Sequence, residues 1–306
     1  MRVLIGYDGS KHADAALADL ARAGLPPGTE AVVLTIADLF EPPCSTQQAV
    51  EPMVEHAVKQ WRNRVEAAIS EAKLFAESAA SKLRTEHLKW AISTEAFADS
   101  PAWGLIKRAE GLCGGFAPAD LMVLGAAGRS ATLGRTLFGS VALRVLHHAR
   151  RSVRIGRQVA SSKQEGNPIR LIVGVDRSDD STAAVRAICA RKWPVGTQCR
   201  VVTVFDSQLF TAMAGIDPIF ISSYEDWPRQ YAEQAAVTLQ GAGLDATAVV
   251  CEGPVASCLI RQAEEFAADC IFVGARGLRR VERFLLGSVS STVAMHAPCT
   301  VEVIRS

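Results

Sequence analysis

Two glycine clusters carry the chemistry most open to reading. Gly125-Ala-Ala-Gly128 runs on to Gly139-Ser140-Val141, and Gly274-Ala-Arg-Gly277 runs on to Gly287-Ser288-Val289. A short apolar run precedes each first glycine, Leu121 to Leu124 and Ile271 to Val273, and a helical pattern follows each last one. A strand that ends in small residues and then opens a helix bares backbone N–H groups beside a helix N-terminus, a ready site for phosphate. The first glycine allows an unusual turn, the second a close approach to an anion. Ser140 and Ser288 are expected to cap the helices and to offer a hydroxyl to the same anion. A tight turn with an ordinary N-cap is the plainer alternative for either cluster alone. Duplication makes the chain two copies of one nucleotide-binding-type unit.

The elements that must position these clusters repeat as well. Each half opens on a buried-type strand ending in an aspartate, Val3 to Asp8 and Leu171 to Asp176. A helix start follows (Gly9-Ser10; Arg177-Ser178), then an alanine-rich helix over 13–23 or 182–190, then a second strand over 31–36 or 200–205. The third strands are expected at 87–93 and 246–251, with helices at 102–110 and 255–267. The last strands are expected at 152–156, short and arginine-rich, and at 299–304. Apolar strands alternating with helices imply a parallel sheet covered on both faces. The fold class is therefore α/β: two tandem doubly wound domains, each with a mainly parallel five-stranded sheet. Domain 1 is expected over 1–157, a polar linker over 158–167 and domain 2 over 168–306.

The halves diverge between their second and third strands. Val54, Val58, Trp61, Val65, Ile69, Ala72, Phe75, Ala79 and Leu83 recur at helical steps behind Pro52, which suits a first turn. This predicts a long amphipathic helix over the sheet; a groove helix for a partner is the alternative. The second half has a shorter helix over 225–240, after an irregular stretch at 207–223 that reads as a loop, or as a lid over the site.

Composition bounds the function. The 306 residues carry 49% hydrophobic and 21% charged residues, with a net charge of +1. That balance is ordinary for a globular protein and gives no basic footprint for nucleic acid or membrane. The first residues read as a strand and not as a signal peptide, and no apolar run nears the roughly 20 residues of a membrane span. A cytoplasmic location is expected. The eight cysteines include no C-x-x-C pair and mostly sit in apolar runs, as reduced structural thiols. His147-His148 suits a helix C-terminus. No G-x-x-x-x-G-K-[ST] occurs, and no G-x-G-x-x-G follows the first strand.

Ligands on such sheets bind beyond the strand carboxyl ends, at the switch point. Asp8 or Asp176, the glycine loop and the Gly-Ser helix start converge there. Aspartate ending the first strand, G-x-x-G, nine residues, G-[ST]-V and a late His296-Ala-Pro-Cys299 together resemble the universal stress protein family in its tandem form. The resemblance implies five strands per domain and binding of ATP or another adenine nucleotide, with or without Mg2+. It implies that Gly274, Gly277, Gly287, Ser288 and Val289 hold phosphates and ribose, that Asp176 lies near ribose or metal, and that the Val204 backbone meets the adenine edge. The first half carries the same set as Asp8, Ile36, Gly125, Gly128, Gly139, Ser140 and Val141. There, ten residues instead of nine separate Gly128 from Gly139, and His148-Ala-Arg-Arg151 replaces the late stretch. Arg177, Arg276, Arg279, Arg280 and Arg283 are expected around the second loop, on a triphosphate or as a solvated rim.

The resemblance further implies a nucleotide-dependent regulatory protein of the stress response. The halves would pair as an internal pseudo-dimer through their last strands, and whole chains could also form a homodimer. With no evident general base, fast ATP hydrolysis is not expected. An adenine-nucleotide hydrolase or transferase and a non-binding interaction module are the alternatives.

Overall fold

Among the described residues ten strands form one sheet, in the order β3-β2-β1-β4-β5-β10-β9-β6-β7-β8. The computed structural model describes residues 1–39, 52–112, 117–128, 138–158, 168–205, 218–277 and 286–306. In the first half these are β1 (Arg2–Gly6), α1 (Lys11–Asp19), β2 (Glu30–Ala37), α2 (Pro52–Glu86), β3 (Ala91–Ala98), α3 (Pro101–Ala109), β4 (Leu121–Gly125), α4 (Ser140–His148) and β5 (Ser152–Gly156). The second half repeats the series as β6 (Arg170–Gly174), α5 (Asp179–Cys189), β7 (Gln198–Phe205), α6 (Pro218–Gly241), β8 (Asp245–Glu252), α7 (Val255–Glu265), β9 (Cys270–Gly274), α8 (Ser288–His296) and β10 (Thr300–Ile304).

Each half is a parallel five-stranded sheet whose direction of winding reverses between β1 and β4, or between β6 and β9. These strands are buried on both faces, so they read as continuous apolar runs such as Leu121-Met-Val-Leu124. The two halves meet where β5 and β10 pair antiparallel, Val153 opposite Val303 and Arg154 opposite Glu302.

The two faces of this junction differ. On the face covered by α3, α4, α7 and α8, one apolar core runs through both halves, from Leu4 and Leu146 to Ile271 and Val293. On the other face each half keeps its own core, around Val33 and Leu83 or around Val201 and Leu239. Between those two cores lies a charge cluster. Arg154, 1% exposed, donates from Nε to Asp19 at 2.6 Å and from Nη1 to Glu302 at 2.9 Å. Thr300 donates to the other Asp19 oxygen at 2.8 Å, and Arg191 holds the other Glu302 oxygen.

Several boundaries depart from the expectation. The third strand of the first half starts at Ala91 and not at His87, because α2 runs on to Glu86. The stretch 207–223 is helical from Pro218; residues 206–217, the rest of the expected lid, lie outside the described residues, as do 159–167 of the expected linker. The arginine-rich segment at 152–156 forms a strand with the expected bounds, and Arg154 points into the cluster.

Breaking the cluster should be costly because buried Asp19 would keep only the Thr300 hydroxyl and buried Glu302 only Arg191. Arg154→Ala is expected to lower stability by about 3–5 kcal/mol, read from chemical denaturation. Burial alone would raise the Glu302 carboxyl, but Arg191 and Arg154 hold it below the usual glutamate range. Its contribution is therefore complete above the ordinary glutamate value and is shed as pH falls through the lower folded value. In Glu302→Gln, the loss of stability on acidification should be shallower over that window.

Candidate functional site

Each half builds its site from the same three contacts. The first is a turn after the first strand. Asp8 accepts the Ser10 N–H at 3.0 Å, and Ser10 caps α1 by accepting from the Ala13 N–H at 3.1 Å. Asp176 accepts from Ser178 at 3.0 Å, and Ser178 caps α5 through the Ser181 N–H at 3.1 Å. The residue between is left-handed in both, Gly9 at φ +75° and Arg177 at φ +67°.

The second contact is the seat of the first glycine on a helix start. A methyl group on Gly125 would lie 2.5 Å from the His12 carbonyl carbon, and one on Gly274 2.8 Å from the backbone of Asp180 and Ser181. The third is loop closure: Gly139 N–H donates to Ala126 at 2.8 Å and Gly287 N–H to Ala275 at 2.7 Å. The loop's second glycine faces the aspartate. A methyl group on Gly128 would meet Asp8 Oδ2 at 2.9 Å, and one on Gly277 would meet Asp176 Oδ2 at 2.8 Å.

The helix starts differ from expectation in one respect. Gly139 and Gly287 occupy the N-cap positions, where serine was expected. Ser140 and Ser288 are the first helical residues, exposed, and among the described residues no side chain caps the first turn of α4 or α8. Such uncapped donors at a positive helix end attract an anion.

In the first half these groups border a cavity of about 650 Å³. Asp8, Ile36, Gly125, Gly128, Gly139, Ser140 and Val141, all of the candidates in that half, line it. Its volume falls in the range of small-molecule sites. Ala68, Ala72 and Phe75 of α2 also line it, so the long helix supplies a wall. Phe75 is tied to the turn as well, since a methyl group on Gly9 would sit 2.8 Å from its ring. Thr35, another wall residue, is 5% exposed, and its hydroxyl has no hydrogen-bond partner among the described residues. Its counterpart Thr203 donates to Val175 O at 2.7 Å. The periodicity of α2 placed Phe75 on the buried face; the α2 wall and the Thr35 hydroxyl have no signal in the sequence.

In the second half, the same contacts gather Asp176, Gly274, Gly277, Gly287 and Ser288, while Val204 and Val289 pack half-buried against the shared core. Arg276 departs from expectation. It grips Asp180 with Nε at 2.8 Å and Nη2 at 2.9 Å, and its N–H also donates to Asp180 at 3.0 Å. Burial would raise the Asp180 carboxyl, but Arg276 and Ser306 hold it low. The Arg276 guanidinium is thereby an internal tether rather than part of a phosphate rim. Arg279, Arg280 and Arg283 lie outside the described residues; Arg177 is exposed. Among the described residues no group of three or more His, Cys, Asp or Glu could hold a metal ion, six cysteines are free, and no helix is long and apolar enough to cross a membrane.

The model of the universal stress protein family matches residues 169–305. The chain resembles this family over its C-terminal half. A universal stress protein of Staphylococcus epidermidis is 28% identical over 138 residues, 44% of this chain and 83% of its own. One of Staphylococcus haemolyticus is 27% identical over the same length, covering 84% of its own. Over the whole chain, the crystal structure of a universal stress protein from Archaeoglobus fulgidus superimposes with a TM-score of 0.61 at 21% identity, covering 99% of this chain and 98% of that one. At that identity the likeness speaks for the fold alone. It extends the universal stress protein fold to the N-terminal half, which the family model does not reach.

The glycines should respond unequally to substitution. Gly125→Ala pushes a methyl group into backbone that cannot move and is expected to cost about 1–3 kcal/mol. Gly128→Ala meets only a carboxylate that can turn aside and should cost less than about 1 kcal/mol. Thermal unfolding of both variants reads the difference; equal losses would contradict the contacts described.

Proposed function

We propose that this protein is a universal stress protein that binds an adenine nucleotide in the cavity of its N-terminal half. The observation that carries the reading is the coincidence of the cavity with all seven candidate residues of that half. The glycine loop and the uncapped start of α4 supply N–H donors suited to phosphate oxygens. Ile36, Leu34, Leu105 and Phe75 supply apolar surface suited to a base, with the Thr35 hydroxyl as an unsatisfied polar group in the same wall. A triphosphate carried in as its Mg2+ complex would bring the metal toward the Asp8 carboxylate, whose neighbour Gly128 leaves it room.

Asp176, Val204, Gly274, Gly277, Gly287, Ser288 and Val289 form the corresponding set for a second nucleotide in the C-terminal half, where the turn and the loop repeat the same contacts. In this reading the protein works in the cytoplasm as a binding switch of the stress response. Nucleotide would favour one arrangement of loop, α2 and α4 over another, and a partner would read that surface.

Titration calorimetry with ATP and Mg2+ tests the site. Saturable binding is expected, and Gly128→Val, which crowds Asp8 and the loop, should weaken the N-terminal site by roughly 30-fold or more, about 2 kcal/mol. An unchanged isotherm in that variant would remove the site assignment. Rapid release of phosphate on incubation would replace the switch by an enzyme.

A further inference from the structure

Among the described residues, the hydroxyls that border the N-terminal cavity belong to Tyr7, Thr35 and Ser140. Tyr7 donates its hydroxyl to Asp14 at 2.9 Å. Ser140 opens α4, at the phosphate end of the proposed site. Thr35 stands on β2, buried, and its oxygen has no hydrogen-bond partner among the described residues. The same place in the second half is not orphaned, since Thr203 donates to Val175 O at 2.7 Å. Both threonines stand immediately ahead of the candidate base neighbours, Ile36 and Val204. A buried hydroxyl without a partner is unfavourable, and here the residue borders a cavity able to supply one. Rotation about χ1 moves hydroxyl and methyl group among staggered positions, so the oxygen can turn to that space without moving the strand.

Sheet order decides which part of a nucleotide Thr35 would meet. Strands β2 and β4 both pair with β1, so their ends lie roughly 10 Å apart. A nucleotide with its phosphates on the loop after β4 carries its ribose past Asp8, just beyond β1, and brings its base to the end of β2. Thr35 therefore faces the base. A hydroxyl both donates and accepts, so by itself it does not separate an amino group from a carbonyl. Its neighbours do. Asp38, shortly after Thr35, and Glu71, on the α2 wall, line the same cavity. An ionised carboxylate accepts hydrogen bonds and donates none. Among the described lining residues there is no lysine, arginine or histidine. That end of the cavity suits a donor and disfavours the carbonyl oxygen of an oxopurine.

We propose that Thr35 is the base-reading residue of the N-terminal cavity, its hydroxyl accepting a hydrogen bond from the exocyclic amino group of a 6-aminopurine. The inference rests on the nucleotide reading above and adds to it the side chain that selects the base. A site that provides a partner for a substrate N–H discriminates against an analogue lacking that group, because its own polar atom is then left unpaired.

The test is calorimetry on the full chain carrying Gly277→Val, so that the C-terminal loop does not enter. ATP is compared with purine ribonucleoside triphosphate, which has hydrogen in place of the amino group, both with Mg2+. ATP is expected to bind about tenfold more tightly. Thr35→Val keeps the shape of the side chain and removes the hydroxyl. It should weaken ATP about fivefold and leave the analogue within about twofold, so that the two nucleotides draw together. Thr35→Ser, which keeps the hydroxyl, should retain the preference. Equal losses for both nucleotides in Thr35→Val, or no preference before the substitution, overturns the assignment of Thr35 while nucleotide binding stands. Failure of both nucleotides to bind before the substitution overturns the nucleotide reading, and the assignment with it.

Discussion

A strand end and a helix start touch backbone to backbone in each half, and everything at the site hangs from that contact. At Gly125 a single methyl group would come within 2.5 Å of the first turn of α1. Because that approach is allowed, β4 delivers its loop directly beside the turn that holds Asp8. The same turn caps α1 through Ser10, so one short segment fixes the carboxylate, the helix and the loop together. The second half reproduces the arrangement with different neighbours, Asp180 and Ser181 in place of His12 and Ala13. What is repeated is therefore a backbone geometry, and the side chains around it are free to differ.

They differ most at the junction and around the loops. On one face the two halves share a continuous apolar core, which supplies non-directional burial; on the other, Arg154, Asp19 and Glu302 meet with defined geometry. A buried cluster of this kind adds little net stability over apolar packing but penalises any other register of the two halves. The cluster is asymmetric, with arginine on β5 facing glutamate on β10. The Arg276–Asp180–Ser306 tether is a second asymmetry, pinning the second loop to the helix behind it and to the last residue of the chain.

The order of elements was readable because apolar strands and alanine-rich helices alternate with clear punctuation, and because the chain repeats itself. The glycine positions were readable for the same reason. Boundaries failed where local pattern is weak. His87 stacks on Trp90 beyond the end of α2, so the strand begins only at Ala91. Ser140 looked like a cap because serine often is one, but the glycine before it takes that place. The partners of Arg154 and Arg276 were not readable, since a sequence does not show which distant carboxylate will meet an arginine. The wall that Phe75 and Ala72 add to the N-terminal cavity arises from packing of α2 across the sheet, which periodicity orients only toward the core in general.

The account stands or falls on what occupies the N-terminal cavity. Crystals grown with ATP and Mg2+ provide the most direct view. The account predicts difference density with its phosphates against the backbone of Gly128, Gly139 and Ser140 and its base beside Ile36. Density for nucleotide elsewhere, with that cavity closed by Phe75 or Phe138, would contradict it.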